Sequence, residues 1–138
     1  MVNQKELQEK ILSYRILQSR LEGLLKQREM IINKIVELQN TVDSINEVER
    51  TDEGLFPLGG EAHVFGKIAN KEKLIVEIGA NVALEKSFEE GKSTLKKRRE
   101  ELEKNLNEIQ REMQETSVAI GELEPELQRL ASQTSEAG

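Results

Sequence analysis

The chain contains few residue types that carry out chemistry, and they lack the partners that a reaction needs. His63 is the only histidine and there is no cysteine, so a thiolate metal site is excluded and we expect neither another metal site nor a Ser-His relay. Gly59-Gly60 lacks the rest of a phosphate-binding loop or dinucleotide fingerprint. We therefore expect no enzyme and no cofactor, with His63 on a strand surface and the two glycines in a tight turn.

The basic run Lys96-Lys97-Arg98-Arg99 is the one feature that could suggest nucleic-acid binding. Glu100 and Glu101 follow it directly, and the whole chain carries a net charge of -6. A nucleic-acid interface needs a basic face that is not neutralised by its neighbours. The run is better explained as the solvated face of a helix, and we expect no nucleic-acid partner.

Residues 55–86 hold almost all of the β signal. Apolar residues alternate from Ala62 to Ile68 and again from Leu74 to Ile78, with turns predicted at Gly59-Gly60 and at Gly79-Ala80-Asn81. The pattern predicts a meander of about four short strands with one apolar face. Such a sheet has two open edges and is not stable alone, so it is expected to complete a barrel with other chains. The residues predicted to form this assembly surface are Phe56, Leu58, Val64, Phe65, Ile68, Leu74, Val76, Ile78, Val82 and Leu84.

The segment before this region, residues 3–49, has the three–four apolar spacing of a coiled-coil seam. At ~1.5 Å per residue it would form a helix roughly 65–70 Å long. Arg28 interrupts the seam, and the turn-forming residues 51–54 predict that the helix ends near Arg50. The seam positions are Leu7, Ile11, Tyr14, Leu17, Leu21, Leu24, Ile31, Ile35, Leu38, Val42 and Ile45.

A second helix is predicted over residues 87–132, beginning at a capping box formed by Ser87 and Glu90. Its seam continues to Leu130, but Pro125 is expected to kink or break it, and residues 133–138 are expected to fray. If the two helices pack antiparallel with Ile45 near Leu95, equal spacing brings Pro125 close to Tyr14. The seam positions of the second helix are Leu95, Arg99, Leu102, Leu106, Ile109, Met113, Thr116, Ile120, Leu123, Leu127 and Leu130.

Composition agrees with this plan. Of 138 residues, 33% are charged and only 3% aromatic, which favours long helices over a globule with a deep core. The N-terminal residues are charged, so no signal peptide is expected, and no apolar run reaches the ~18 residues of a membrane span. We predict one cytoplasmic α+β domain, mostly α: an antiparallel coiled-coil helical hairpin with two β-hairpins between its helices, completing an intersubunit barrel.

This plan resembles an α-type prefoldin subunit over nearly the whole chain. The resemblance is most specific at Phe56-Pro57-Leu58-Gly59, at Val76-Glu77-Ile78-Gly79-Ala80 and at Glu85-Lys86-Ser87, which leads into the second coil. The sequence departs from the family pattern at Gly60-Glu61 and at Asn81, where a glycine is usual. Asparagine tolerates left-handed backbone geometry, so the second turn is expected to survive.

The resemblance implies a hexamer of two α-type and four β-type subunits, whose β segments form a platform. It also implies an ATP-independent chaperone that captures unfolded polypeptides at the coiled-coil tips and delivers them to a group II chaperonin. The alternative is a structural scaffold or adaptor that only oligomerises through its β region, and each tip residue could equally be ordinary coiled-coil core. The predicted tip residues are Leu7, Ile11, Tyr14, Leu17, Leu123, Leu127 and Leu130.

Overall fold

The computed structural model describes the backbone of residues 4–137 and the side chains of residues 4–133. Two antiparallel β-hairpins lie between two long helices along the chain, as predicted. In chain order the elements are α1 (Gln4–Arg50), β1 (Glu53–Gly59), β2 (Ala62–Lys67), β3 (Lys73–Gly79), β4 (Val82–Ser87) and α2 (Phe88–Ala137). Helix α1 ends at the predicted residue, whereas α2 extends five residues beyond the predicted end at Ser132.

The described chain forms two compact units. The hairpin unit comprises Asn33–Glu103 and therefore holds all four strands and the helical segments next to them. The terminal unit comprises the residues up to Ile32 together with those from Lys104 onward.

The core of the hairpin unit is a short stretch of coiled-coil seam. Leu38 and Val42 of α1 pack with Leu95 of α2, and Ile45 and Leu102 lie partly buried against them. The spacing of these residues places them on one face of each helix. The predicted proximity of Ile45 and Leu95 is thus confirmed.

A cluster of polar groups joins the two helices close to the strands. The Lys92 ammonium lies 2.6 Å from Glu49 Oε1 and 3.0 Å from Glu89 Oε1, and donates to Asn46 Oδ1 at 3.3 Å. The hydrogen bonds to Glu49 and Glu89 raise the pKa of Lys92 above its ordinary value. Because the folded-state pKa is raised, the interactions of charged Lys92 with Glu49 and Glu89 stabilise the fold. This stabilisation is complete below the ordinary lysine pKa and is lost as the pH rises through the raised value.

The second hairpin, β3–β4, packs on the helices of its own unit. Val76 is buried, and Arg98 Nη1 donates to the Glu77 carbonyl oxygen at 3.1 Å. A Cβ atom at Gly91 would lie only 2.6 Å from Leu74 Cδ1. A larger residue at position 91 would therefore force the Leu74 side chain to move.

The four strands form two separate two-stranded sheets, so the two predicted β-hairpins are present but do not join into the predicted meander. Strand β1 pairs with β2, and β3 pairs with β4. The β1–β2 ladder extends one pair beyond the strands, since the Ile68 amide donates to the Asp52 carbonyl at 2.7 Å. Strand β1 also begins at Glu53, where the sequence predicted a turn, because Glu53 and Gly54 pair with Lys67 and Gly66.

Both predicted tight turns are present. Gly59 and Gly60 have φ values of 114° and 55°, and Gly79 has a φ of 107°. The second turn continues through Ala80 and Asn81, with φ values of 50° and 61°. These two residues occupy the left-handed region that a two-residue type I′ hairpin requires.

Replacing Ala80 by glycine should stabilise the protein, because alanine at a positive φ is strained. The left-handed region costs an L-residue ~1–2 kcal/mol, and the greater freedom of glycine in the unfolded chain offsets ~0.4–1 kcal/mol of that gain. We expect Ala80→Gly to raise the free energy of unfolding by about 0.5–1 kcal/mol, measured by urea denaturation. Ala83→Gly in strand β4, at an ordinary φ, is the control and should lower it. Equal losses in both variants would contradict the argument.

The terminal unit also pairs α1 and α2 in the antiparallel direction. Tyr14 donates its hydroxyl hydrogen to Glu124 Oε1 at 3.2 Å, and Lys10 Nζ lies 3.2 Å from Glu126 Oε2. Burial, then the charge and hydrogen bond of Glu124, raise the pKa of Tyr14, so the phenol remains the donor. The predicted position of Pro125 near Tyr14 is confirmed, since both neighbours of Pro125 contact this part of α1.

Helix α2 continues through Pro125 to Ala137, so the helix does not break at this proline, and the predicted alternative, a kink, stays a prediction. A helical proline collides with the carbonyl four residues earlier, and here that residue is Gly121, whose backbone adjusts most easily. The contacts of Glu124 and Glu126 also hold this turn against α1. Residues 133–137, which were predicted to fray, belong to the helix.

Candidate functional site

The two β-hairpins carry a large set of exposed apolar side chains. Of the ten residues predicted for assembly, Val76 is buried and Ile68 and Leu74 are half-buried. These three pack within the chain itself. The other seven are exposed, as predicted for a surface that needs a partner: Phe56, Leu58, Val64, Phe65, Ile78, Val82 and Leu84.

The first hairpin, β1–β2, is apolar on both faces. Leu55 lies opposite Phe65, and the next pair along the ladder is Phe56 opposite Val64. Successive pairs project to opposite sides of a sheet. Phe65 is 88% exposed, whereas the Phe56 ring lies so close to Gly66 that a Cβ there would be 2.8 Å from it. The predicted single apolar face is therefore wrong for this hairpin.

Two exposed apolar residues of the hairpins were not predicted as part of the surface. Leu55 in β1 and Ile75 in β3 are 59% and 70% exposed. Both occupy the strand positions that alternate with the predicted face. The sequence indicates them because apolar residues occupy adjacent positions in these strands. A strand with one solvated face has polar residues at every second position instead.

The predicted tip residues lie in the terminal unit, and most of them form its seam. Leu130 is only 2% exposed, so in this structure it is packed as coiled-coil core. Ile11 is exposed, and the remaining five are half-buried: Leu7, Tyr14, Leu17, Leu123 and Leu127. Whether these residues bind clients stays a prediction.

A second apolar surface on α1 was missed by the sequence analysis. Leu12 and Ile16, here called the α1 patch, are each 59% exposed. They lie four residues apart and hence on one side of the helix. The signal is the pair of apolar doublets Ile11-Leu12 and Ile16-Leu17. Two adjacent residues point about 100° apart around a helix, so both members of a doublet cannot occupy one seam.

The remaining candidates from the sequence have structural explanations. His63 is exposed on β2, as predicted. Within the basic run, Arg98 binds the Glu77 carbonyl, and Arg99 donates to Gln39 Oε1 and pairs with Glu103. Half of this run is therefore engaged inside the hairpin unit.

An open groove of about 340 Å³ lies in the hairpin unit between β3 and the two helices, lined in part by Leu74, Leu95 and Arg98. Across residues 4–133, no three His, Cys, Asp or Glu side chains are grouped so that they could hold a metal ion. In the same described region, neither helix contains a stretch long and apolar enough to cross a membrane.

Comparison with known proteins agrees with this architecture. Residues 17–133 match the family model described as prefoldin subunit. The chain is 29% identical to the prefoldin subunit alpha of Methanococcus vannielii, covering 93% of this chain and 88% of the relative. It is 27% identical to that of Pyrococcus horikoshii, covering 96% and 93%.

The fold has a counterpart among solved structures. A filamentous PFD from Methanocaldococcus jannaschii, determined by cryo-EM, superposes with a TM-score of 0.71 at 22% identity. The superposition covers 80% of this chain and 94% of that one. With a family match over most of its length and α-subunit relatives aligned nearly end to end, the chain belongs to the prefoldin family and is of the α type.

Proposed function

We propose that this protein is a subunit of an ATP-independent chaperone that assembles through its β-hairpins and captures unfolded polypeptides with the terminal parts of its helices. The observation that carries the proposal is the exposure of apolar side chains on both hairpins, together with the family match. A chain of this family with such a surface needs partner subunits, because soluble monomers rarely expose large contiguous apolar patches.

The partners that fit are β-type prefoldin subunits, in a hexamer of two α-type and four β-type chains. Isolated two-stranded hairpins are marginal in water, and joining them with those of other subunits pairs their edges and covers their apolar faces. The M. jannaschii relative is described as filamentous, so prefoldin chains can also build larger assemblies.

The chaperone role is non-enzymatic. Its physical basis is apolar surface in the terminal unit, where Ile11, Leu12 and Ile16 are exposed. Such surface attracts unfolded chains without directional contacts, so it favours breadth over specificity. We place the protein in the cytoplasm and propose that it hands its clients to a group II chaperonin.

The test is suppression of aggregation without ATP. The full chain, assembled with a β-type prefoldin subunit, should lower the light scattering of a chemically denatured test protein on dilution. Deleting residues 1–17 and 121–138 together removes the paired ends of both helices. This variant should assemble with the same mass yet lose suppression.

A structural scaffold is the second candidate, and the packing of the terminal seam favours it. Leu24 and Leu130 are buried there like ordinary coiled-coil core. A scaffold would not suppress aggregation in either form. Absence of suppression by the properly assembled full-length complex would therefore overturn the chaperone proposal.

A further inference from the structure

The α1 patch faces away from the helix pair. At 100° per residue, Leu12 and Ile16 lie on the side of α1 opposite the seam residues Leu7, Tyr14 and Leu21, which are half-buried. The patch therefore stays exposed when α1 and α2 are paired, and the seam need not open for a ligand to reach it.

Two arginines border the patch. Arg15 follows Leu12 by three residues and Arg20 follows Ile16 by four, so both lie beside the patch on the helix surface. Both are exposed, and within the described residues no acidic side chain forms an ion pair with either. Lys10, by contrast, is paired with Glu126.

Helix α2 has the opposite charge in the same unit. Its segment from residue 115 to residue 130 contains one arginine and four glutamates, of which Glu115, Glu122 and Glu124 are exposed. On α1 the terminal unit thus presents an apolar patch bordered by two arginines and by one acidic residue, Glu9, which precedes Leu12 by three residues. The segment of α2 is more acidic, although Glu115 pairs with Arg111. A ligand that combines apolar and acidic groups is attracted to the patch with its arginines and repelled by the segment of α2.

We propose that Leu12, Ile16, Arg15 and Arg20 form a binding strip for unfolded polypeptide segments that carry acidic residues next to apolar ones. This inference rests on the proposed function and names the kind of client segment that the binding strip selects. Side chains on one face of an extended segment are ~6.6 Å apart, close to the ~6 Å rise along the helix from Leu12 to Ile16. Two client apolar residues can therefore contact both patch residues while flanking carboxylates reach the arginines.

The experiment compares two fluorescein-labelled, unstructured peptides with identical apolar residues, one flanked by Asp and Glu and the other by Lys. Each is titrated with the full chain and followed by fluorescence anisotropy. The acidic peptide should bind about five-fold more tightly at 50 mM salt, the size expected from one or two exposed ion pairs. The preference should disappear at 500 mM salt, where such pairs are screened.

Variants separate the contribution of the arginine charges from that of the apolar contacts. Arg15→Glu with Arg20→Glu should reverse the charge preference, whereas Leu12→Ser with Ile16→Ser should weaken both peptides by about tenfold, the loss expected for removing roughly 1.4 kcal/mol of apolar contact. Val118→Ser is the matched control, an exposed apolar residue on α2 of the same unit, and should leave both affinities unchanged. Circular dichroism confirms that each variant is folded.

The outcomes are distinguishable. If neither peptide binds and the assembled complex also fails to suppress aggregation, both the inference and the proposed function are wrong. If both peptides bind equally at all salt concentrations, or if the arginine changes have no effect, the inference is wrong while the proposed function stands. If the Leu12/Ile16 change alters the sedimentation of the chain, the patch contacts a second copy, and the inference is again overturned.

Discussion

Leu95→Ala should lower the free energy of unfolding by about 2–3 kcal/mol, because this substitution removes a central side chain of the hairpin unit's core. Leu95 is buried against Leu38 and Val42, and it also lines the groove beside β3. Truncation removes the apolar contacts of three side-chain carbons, Cγ, Cδ1 and Cδ2, and leaves space that the rigid helix pair fills only in part. The groove is open to solvent, which keeps the cost near the lower end of the range for Leu→Ala.

The measurement is guanidinium denaturation followed by circular dichroism at 222 nm. All variants are compared at one protein concentration, since assembly couples stability to concentration. Leu12→Ala is the matched control: it makes the same chemical change on a helix, at a side chain that is 59% exposed, and should change stability by less than about 0.5 kcal/mol. A loss of similar size in both variants would mean that Leu95 is not part of a packed core.

The helical seam could be predicted because its spacing is set by local geometry. A three–four repeat defines one face of a helix whatever lies opposite it, and equal spacing along two antiparallel helices places Tyr14 beside Glu124. The sequence could not show which apolar residues outside that face remain uncovered. Leu12 and Ile16 are of the same residue types as the seam residues. Only the packed structure shows that nothing within residues 4–133 covers them.

Strand pairing was harder to predict because it depends on contacts between residues distant in sequence. Period-two alternation located the strands and their turns, but it cannot show whether β2 pairs with β3. In the structure the Ile68 amide continues the β1–β2 ladder to Asp52, and β2 and β3 belong to separate sheets. Likewise, continuity of α2 at Pro125 depends on Gly121 and on cross-helix contacts, whereas a rule about proline alone predicts a kink or a break.

Phe65→Ser should disrupt assembly while leaving the chain folded. Phe65 is 88% exposed and lies opposite Leu55 on one face of the first hairpin, so removing its ring costs the single chain few contacts. If assembly buries that face, the loss is about 1.5–3 kcal/mol for each such site. This corresponds to roughly 10- to 150-fold weaker subunit association.

Sedimentation equilibrium of the chain mixed with a β-type prefoldin subunit measures this effect, and circular dichroism reports the helical content. Met30→Ser is the matched control, because Met30 is 72% exposed on α1, outside the hairpins. The control should assemble like the unaltered chain, whereas Phe65→Ser should shift the mixture toward smaller species at the same helical content. Unchanged association of Phe65→Ser would mean that subunits contact only the opposite face, where Phe56 and Val64 lie. Because both faces of this hairpin are apolar, parallel measurement of Val64→Ser shows whether assembly covers one face or both.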